Sequence, residues 1–312
     1  MDDYQKPLVY VIVLNWNAEA VTAECLESLA SLAYPKYRVV LVDNGSSDHS
    51  GEALARRFPD VCLLQMERNL GYTGGNNAGI RKALNAGADY VLLLNNDTIV
   101  APDLLDQLVD IAESDTVIAV VNPKILFEDA PDRIWYAAGY YNWWLGMPYY
   151  HHKERVDQTP ELPQLITFAT GCAMLLRGEA LRKVGLFDER FFAYGEDTDL
   201  TTRIRKAGYQ AVYNPNGVVW HKDGYTIKRQ QGIDYKVYLA TRNKLLLMAK
   251  HATPWQWLVF LPFFCLRHIL YYILLGFLKR DLRISLATFT GSYDFFRLNR
   301  HSPYVEALPD AN

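Results

Sequence analysis

Tyr90–Thr98 reads YVLLLNNDT, five apolar or aromatic residues followed by Asn95, Asn96 and Asp97. An unbroken apolar run of this kind is the pattern of a strand buried on both faces. Ligands of open α/β sheets bind at the carboxyl ends of the strands. A carboxylate fixed there can offer a hard oxygen to a divalent cation. The same three residues also suit a plain turn, because Asn and Asp side chains bond to turn backbone. The flanking sequence decides between the two.

Upstream, Leu8–Leu14 is another apolar run, and it ends in Asn15, Trp16 and Asn17. Val21–Leu32 has apolar residues at helical spacing. Tyr37–Val42 repeats the strand pattern with Asp43 at its tip, and Asp48 can cap a helix running to about Phe58. Val61–Met66 is a third short strand, and Ile80–Ala86 is helical up to Gly87. Downstream come a helix over Asp103–Glu113 and a strand over Val117–Val121. Such alternation specifies a mostly parallel sheet with helices on both faces. The strand ends at Asn15–Asn17, Asp43 and Asn95–Asp97 then meet at one edge, and that convergence favours a binding site over a turn.

Between the third and fourth strands lie Gly71, Gly74, Gly75 and Gly79. The spacing is neither G-x-x-x-x-G-K nor G-x-G-x-x-G. Two readings stay open: backbone approaching a nucleotide, with amide contacts from Asn76 and Asn77, or a helix packed tightly on the sheet. Trp135–Tyr150 is crowded with aromatic rings, and Gly139, Gly146 and Pro148 among them exclude a regular helix. Such rings suit the face of a sugar or a lipid headgroup, but core or interface is the favoured reading for most of them. Leu165–Arg177 reads as a strand interrupted by Gly171, then a strand or a helix start. Glu196, Asp197 and Asp199 crowd the start of a helix that ends at Gly208. Helix-start electrostatics account for one or two of these carboxylates, with Asp199 the best candidate for a plain helix-start charge. Val218–Trp220 is a short strand leading to His221, a residue type that is usually structural when it stands alone.

The tail differs in character. Tyr235–Lys250 is helical and carries Arg242, Asn243 and Lys244, and Trp255–Leu278 is almost wholly apolar. Its length suffices to span a bilayer. Arg267 near its centre costs roughly 2.5–3.5 kcal/mol on the insertion scale, and Pro262 adds strain. We therefore expect an interfacial or re-entrant helix pair, with Lys279, Arg280 and Arg283 meeting anionic headgroups. A homodimer interface or a core helix is the alternative. A net charge of -3 gives no pull toward nucleic acid. Four cysteines without a C-x-x-C pair exclude a zinc cluster or disulfide scaffold and suit a reducing cytosol. The acidic start MDDYQKP lacks the marks of a signal peptide.

The segments VIVLNWN, VDNGSSD, RNLGYTGGNNAGI, LLLNNDT, GCAMLLR, GEDTDLTTRIRKAGY and VVWHKDG, in this order, resemble the family 2 glycosyltransferases. LNNDT and GGNNAGI are most similar to the bacterial rhamnosyltransferase-like branch. The likeness covers residues 8 to about 250. It implies the GT-A (Rossmann-like) α/β fold: a mostly parallel central sheet flanked by helices, with a C-terminal helical extension. Residues 1–234 would form the transferase domain, with a donor half to about 122 and an acceptor half beyond it, and 235–312 a helical, membrane-associating region.

The same resemblance implies the site. Asn15, Asn17, Asp43, Gly71, Asn76, Asn95 and Asn96 would contact the nucleotide-sugar donor. Asp97 and His221 would hold Mg²⁺ or Mn²⁺ at its diphosphate. Asn95 replaces the first Asp of the family's D-x-D, which lowers the local negative charge. Asp197 would be the catalytic base, with Gly171, Cys172, Glu196 and Trp143 on the acceptor side. The implied reaction is inverting transfer from dTDP-rhamnose or a UDP-sugar to a hydroxyl of a saccharide or lipid-linked acceptor. It would serve cell-surface polysaccharide synthesis on the cytoplasmic face of the membrane. A processive synthase normally carries Q-x-x-R-W, which ATRNK at 240–244 is not. A nucleotidyltransferase would open with a Gly-rich basic loop, which NWNAEA is not. A silent nucleotide-sugar-binding protein would retain Asp97 and Asp197 together only by coincidence.

Overall fold

The computed structural model describes residues 6–157, 162–222 and 232–297. Strands β1 (Val9–Asn15), β2 (Tyr37–Asp43), β3 (Cys62–Gln65) and β4 (Tyr90–Asn95) lie in the order β3-β2-β1-β4, all parallel. Helices α1 (Glu19–Leu29), α2 (Ser50–Arg57) and α3 (Gly71–Asn85) make the connections. Asn15 pairs in register with Asp43, and Leu14 with Asn95, so the three strand ends are level at one edge. The expected convergence is a consequence of that register.

β5 (Thr98–Val100), helix α4 (Leu104–Ser114) and β6 (Ile118–Phe127) follow, then a hairpin of β7 (Ile134–Asn142) and β8 (Met147–His151). After the short β9 (Gln164–Leu165), β10 (Ala173–Arg177) inserts antiparallel between β4 and β6. The sheet is therefore mixed beyond β4, with β11 (Gln210–His221) parallel to β6 and antiparallel to β5. Residues 166–172 lie outside β9 and β10, so the expected strand over Leu165–Arg177 is confined to its two ends. An apolar run such as AMLLR reads the same in either direction, which is why its reversal was not visible.

The glycine-rich segment is helical from Gly71 onward, not from Ile80. Glycine is a poor helix former, and packing overrides that propensity here. A Cβ on Gly79 would stand 2.5 Å from Ile12 Cγ2, and one on Gly75 2.4 Å from Leu14 Cδ1. These two glycines let α3 lie directly on β1, which is the packing reading. Asn77 gives its amide to the Phe187 carbonyl (2.9 Å) and accepts from the Phe187 N–H (3.0 Å). In the hairpin, Tyr136 and Tyr141 are core, whereas Trp144 and Tyr149 are exposed.

Helices α5 (Gly178–Val184) and α6 (Glu196–Lys206) flank β10 and β11. α7 (Ile233–His251) sends Leu246 and Leu247 into the main core. The apolar tail is one continuous helix over Pro254–Lys279, not a helix pair. It comprises α8 (Pro254–Phe263), a π-helical stretch Phe264–Ile269 and α9 (Leu270–Lys279). Thr253 starts it with a capping box to Gln256, and Pro262 is accommodated inside it. It is long and apolar enough to cross a membrane. α10 (Leu282–Arg297) returns along α7, where Gly291 allows close approach to the Tyr238 carbonyl.

Gly79→Ala tests the α3–β1 contact. Alanine raises helix propensity by about 1 kcal/mol, but its methyl meets the branched, stiff Ile12, and overpacking typically costs about 1–3 kcal/mol. Urea unfolding should show a net loss of stability; a gain would mean that the contact is looser than described.

Candidate active site

At the sheet edge the residues of the strand ends form a buried hydrogen-bond network. The Asn15 amide donates to Asp43 Oδ1 (2.9 Å) and Ser50 Oγ (2.8 Å), and its Oδ1 accepts from Thr22 Oγ1 (2.9 Å). The Asn96 amide donates to the same Thr22 oxygen (2.7 Å). Asp43 also accepts from Ser46 Oγ and Gln65 Nε2. Asn17, with φ of 48°, accepts the Ser47 N–H at 2.8 Å. The Gly71 carbonyl accepts from Asn44 (3.1 Å), and the Asn76 amide donates to the Tyr72 carbonyl (2.9 Å). These groups hold one another at the ends of the strands. Asn95 differs: its half-buried side chain makes no hydrogen bond among the described residues.

Asp97 sits in the turn between β4 and β5. Because β5 pairs with the end of β11, Thr98 lies opposite His221. His221 Nε2 stands 3.2 Å from Asp97 Oδ1, both side chains being buried. The contact has the distance of an ion pair, yet neither ring nitrogen has a well-aligned hydrogen-bond partner. Burial alone would lower the imidazole's pKa, but the neighbouring Cys172 and Asp97 push it up to about 11. Trp135 closes one side, its ring 4.5 Å from the imidazole. Among the described residues no group of three or more His, Cys, Asp and Glu is arranged to hold a metal ion. A carboxylate and an imidazole without aligned partners suit a cation that displaces the imidazole's proton and takes its other ligands from substrate phosphates.

Asp197 opens α6, after Gly195 at φ 97°. Its carboxylate accepts the Gly171 N–H at 3.2 Å and the Thr198 N–H at 2.7 Å. Burial, against these hydrogen bonds, pushes it up to about 6. Burial and then the charge of Asp197 push Glu196 far higher, and Glu196 Oε2 has no partner. Environments that drive two adjacent carboxyls apart assign them different protonation states. At neutral pH Asp197 is the ionised member. Tyr136, Tyr141 and Tyr150 of the hairpin stand close enough to feel its charge. Trp143 packs between Tyr141 and His251.

Asp199 is not a plain helix-start charge. It is fully buried and meets Arg203 Nε (2.9 Å), Lys250 Nζ (2.7 Å) and His251 Nε2 (2.7 Å), tying α6 to α7. Burial opposes its ionisation, but His251, Arg203 and Lys250 together hold it below the usual carboxylate range.

Gly171 and Cys172 face different ways. The Gly171 N–H meets Asp197 and its carbonyl accepts from Tyr72 Oη (2.7 Å), whereas the Cys172 thiol lies against His221. Sequence reasoning overlooked Tyr72 and gave Arg242 and Asn243 no role. Asn243 Nδ2 faces the carbonyls of Phe191 (2.8 Å), Ala193 (2.6 Å) and Tyr194 (2.8 Å), and Arg242 Nη2 those of Arg190 (2.8 Å) and Phe191 (2.9 Å). The loop so held carries Phe192 and Tyr194 at φ of 62° and 71°, a strained conformation for such residues. Its outlet is Glu196–Asp197. Adjacent Arg and Asn in a buried helix were the available signal. Asp223 and Gly224, the end of the VVWHKDG segment, lie outside the described residues.

Residues 10–185 match the model of "Glycosyl transferase family 2". The chain is 31% identical over 257 residues to the N-acetylglucosaminyl-diphospho-decaprenol L-rhamnosyltransferase of Mycobacterium tuberculosis, covering 73% of this chain and 81% of that one. Among solved structures it is similar to S. aureus TarS 1-349 in complex with UDP-GlcNAc, with a TM-score of 0.59 and 17% identity over 97% of this chain and 82% of that one. It is also similar to the mannosyltransferase PcManGT of Pyrobaculum calidifontis in complex with GDP-Man and Mn²⁺. That match has a TM-score of 0.56 and 18% identity over 98% of this chain and 80% of that one. At such identities the structural likeness shows the shared fold.

Asp199→Asn should lower unfolding stability by about 3 kcal/mol at neutral pH, since it strands buried cations. The wild-type carboxyl is held below its unfolded value, so its contribution is present above about pH 4 and fades as pH falls through the lowered folded value. The gap between the two proteins in a pH series of thermal melts should therefore narrow in acid. A constant gap would show that the charge is not its origin.

Proposed function

We propose that this chain, which belongs to glycosyl transferase family 2, moves a sugar from a nucleotide-diphosphate donor to a hydroxyl of a lipid-linked saccharide, inverting the anomeric centre. dTDP-rhamnose or a UDP-sugar is the proposed donor. The observation that carries this reading is the placement of Asp197 and the Asp97–His221 pair on either side of Gly171–Cys172.

In this reading the donor's diphosphate lies beside Asp97 and His221, and the Asn95 amide is free to meet it. A divalent cation held by Asp97 and His221 would neutralise the departing diphosphate as a Lewis acid. The acceptor hydroxyl sits at Asp197, which the Gly171 and Thr198 N–H groups keep in place. The hydroxyl oxygen bonds to the anomeric carbon as the bond to the phosphate oxygen breaks, and the hydroxyl proton passes to Asp197. One base on one face and one leaving group on the other give inversion with no enzyme nucleophile. Tyr150, the partly exposed one of the tyrosines near Asp197, forms part of the wall for the acceptor sugar.

The acceptor class is supported by the mycobacterial relative's name and by the tail. Trp255, Leu258, Leu266, Leu274, Phe277 and Leu278 are exposed along Pro254–Lys279, and Lys279 and Arg280 follow. Such a face followed by cations suits the surface of a membrane with anionic lipid. We place the protein at the cytoplasmic membrane face, with 1–234 as the transferase domain and the exposed face of Pro254–Lys279, within the region 235–312, as the contact.

Excess chelator should remove nearly all transfer while the thermal melt stays near wild type; Asp97→Ala should remove transfer too, with a lowered melt because it strands the buried His221; full activity in chelator would contradict the cation's role. Asp197→Asn should lower kcat by about 10²–10⁴-fold with donor affinity kept. Because Asp197 must be ionised to act, wild-type kcat/KM should fall as pH drops through about 6. Glu196→Gln should leave that limb in place. An activity profile flat between pH 5 and 7 would place the base elsewhere.

A further inference from the structure

Lys244 of α7 and Arg267 of the π-helical stretch line one cavity of about 250 Å³, together with Leu145, Met147, Phe264 and Tyr271. Neither cation has a carboxylate partner among the described residues. Arg267 instead stacks over the Tyr271 ring at 5.4 Å. Lys244 is half-buried, and burial, then the repulsion of Arg267, pushes its ammonium down to about 8. A half-buried ammonium beside a second, exposed cation, with no anion at hand, is unfavourable unless a ligand supplies the counter-charge. The π-helical geometry that places Arg267 here is itself uncommon and frequent at functional sites. Thr241 Oγ1 and His268 Nε2, 2.8 Å apart, fasten this stretch to α7.

The surroundings limit what that ligand is. Drug-sized and cofactor pockets run to about 300–1,000 Å³, so this cavity has the size of a headgroup and not of a nucleotide. On one side the exposed apolar face of α9 leads away through Leu270, Leu274 and Phe277. On the other, Lys244 directly follows Asn243, whose amide holds the Tyr194 carbonyl just before Glu196–Asp197. The hairpin makes the same connection: Leu145 and Met147 line the cavity, and Tyr141 and Tyr150 stand near Asp197.

We infer that this cavity holds the diphosphate of the lipid-linked acceptor, with Lys244 and Arg267 as its counter-charges and the prenyl chain along the exposed face of α9. The sugar on that diphosphate then points toward Asp197. This rests on the transferase reading above and adds to it the place where the acceptor is gripped.

The test uses the full-length chain in vesicle flotation. Phosphatidylcholine vesicles carrying farnesyl diphosphate are compared with plain phosphatidylcholine vesicles and with phosphatidylcholine–phosphatidylglycerol vesicles of matched charge, and inorganic pyrophosphate is used as a competitor. The farnesyl diphosphate vesicles should bind at least about tenfold more tightly than either of the others. Arg267→Gln and Lys244→Gln should each weaken that binding about tenfold or more, the usual scale for a charged hydrogen bond. Arg267→Lys should keep most of it, and Arg56→Gln, remote on α2, should change nothing. Arg267 is exposed, so its substitution leaves folding intact and decides the matter should Lys244→Gln fold poorly. Unchanged binding in Arg267→Gln would overturn the inference. So would equal binding to phosphatidylglycerol vesicles, or pyrophosphate binding as tightly as the lipid form. Nucleotide-sugar binding is titrated separately in the same proteins. Its presence in wild type and Arg267→Gln localises the loss to the acceptor, whereas its absence from wild type would overturn the transferase reading whatever the vesicles show.

Discussion

Two residues of backbone, Gly171 and Cys172, tie the separate parts of this molecule together. The Gly171 N–H fixes Asp197 at the head of α6, and its carbonyl receives the Tyr72 hydroxyl from α3. The Cys172 carbonyl accepts the Asn95 N–H at 2.9 Å, joining the end of β4. A Cβ on residue 171 would stand 2.6 Å from the Tyr72 hydroxyl, so the approach depends on glycine. The same link explains why β10 is reversed: the chain leaves the crevice at Cys172 and runs back through the sheet from the edge where the other strands end.

A buried helix outside the sheet shapes the site as much as the strands do. Asn243 and Arg242 supply donors to the backbone carbonyls of the strained loop. Unpaired, such buried groups would each cost about 1–3 kcal/mol. α7 is in turn held by the Asp199 ion cluster on one side and α10 on the other. Asp197 is thereby connected, through contiguous packing, to the apolar helix and the cavity beside it.

What could be read in the sequence follows from range. Parallel strands ending in Asn15, Asp43 and Asn95–Asp97 announce an edge site because each signal is local: an apolar run, then a polar break. The place of Asp197 at a helix start was local too. Asp199 misled because helix-start position is a local feature, whereas its partners Lys250 and His251 lie some fifty residues away on another helix. Tyr72, Arg242 and Asn243 escaped for the same reason, since their partners are far along the chain. The glycines of α3 were ambiguous until Ile12 and Leu14 were seen beneath them; low helix propensity and close packing prescribe the same residue. The tail's length and hydropathy were plain, but its continuity through Pro262 was not, because the π-helical stretch that follows leaves no signature in composition.

The central claim is that donor and base act from opposite sides of the anomeric carbon, separated by Gly171–Cys172. The anomeric configuration of the product, read by NMR after transfer from a nucleotide sugar of defined configuration, tests this most directly. The arrangement predicts inversion: an α-linked donor gives a β-linked product. A product that keeps the donor's configuration would contradict it.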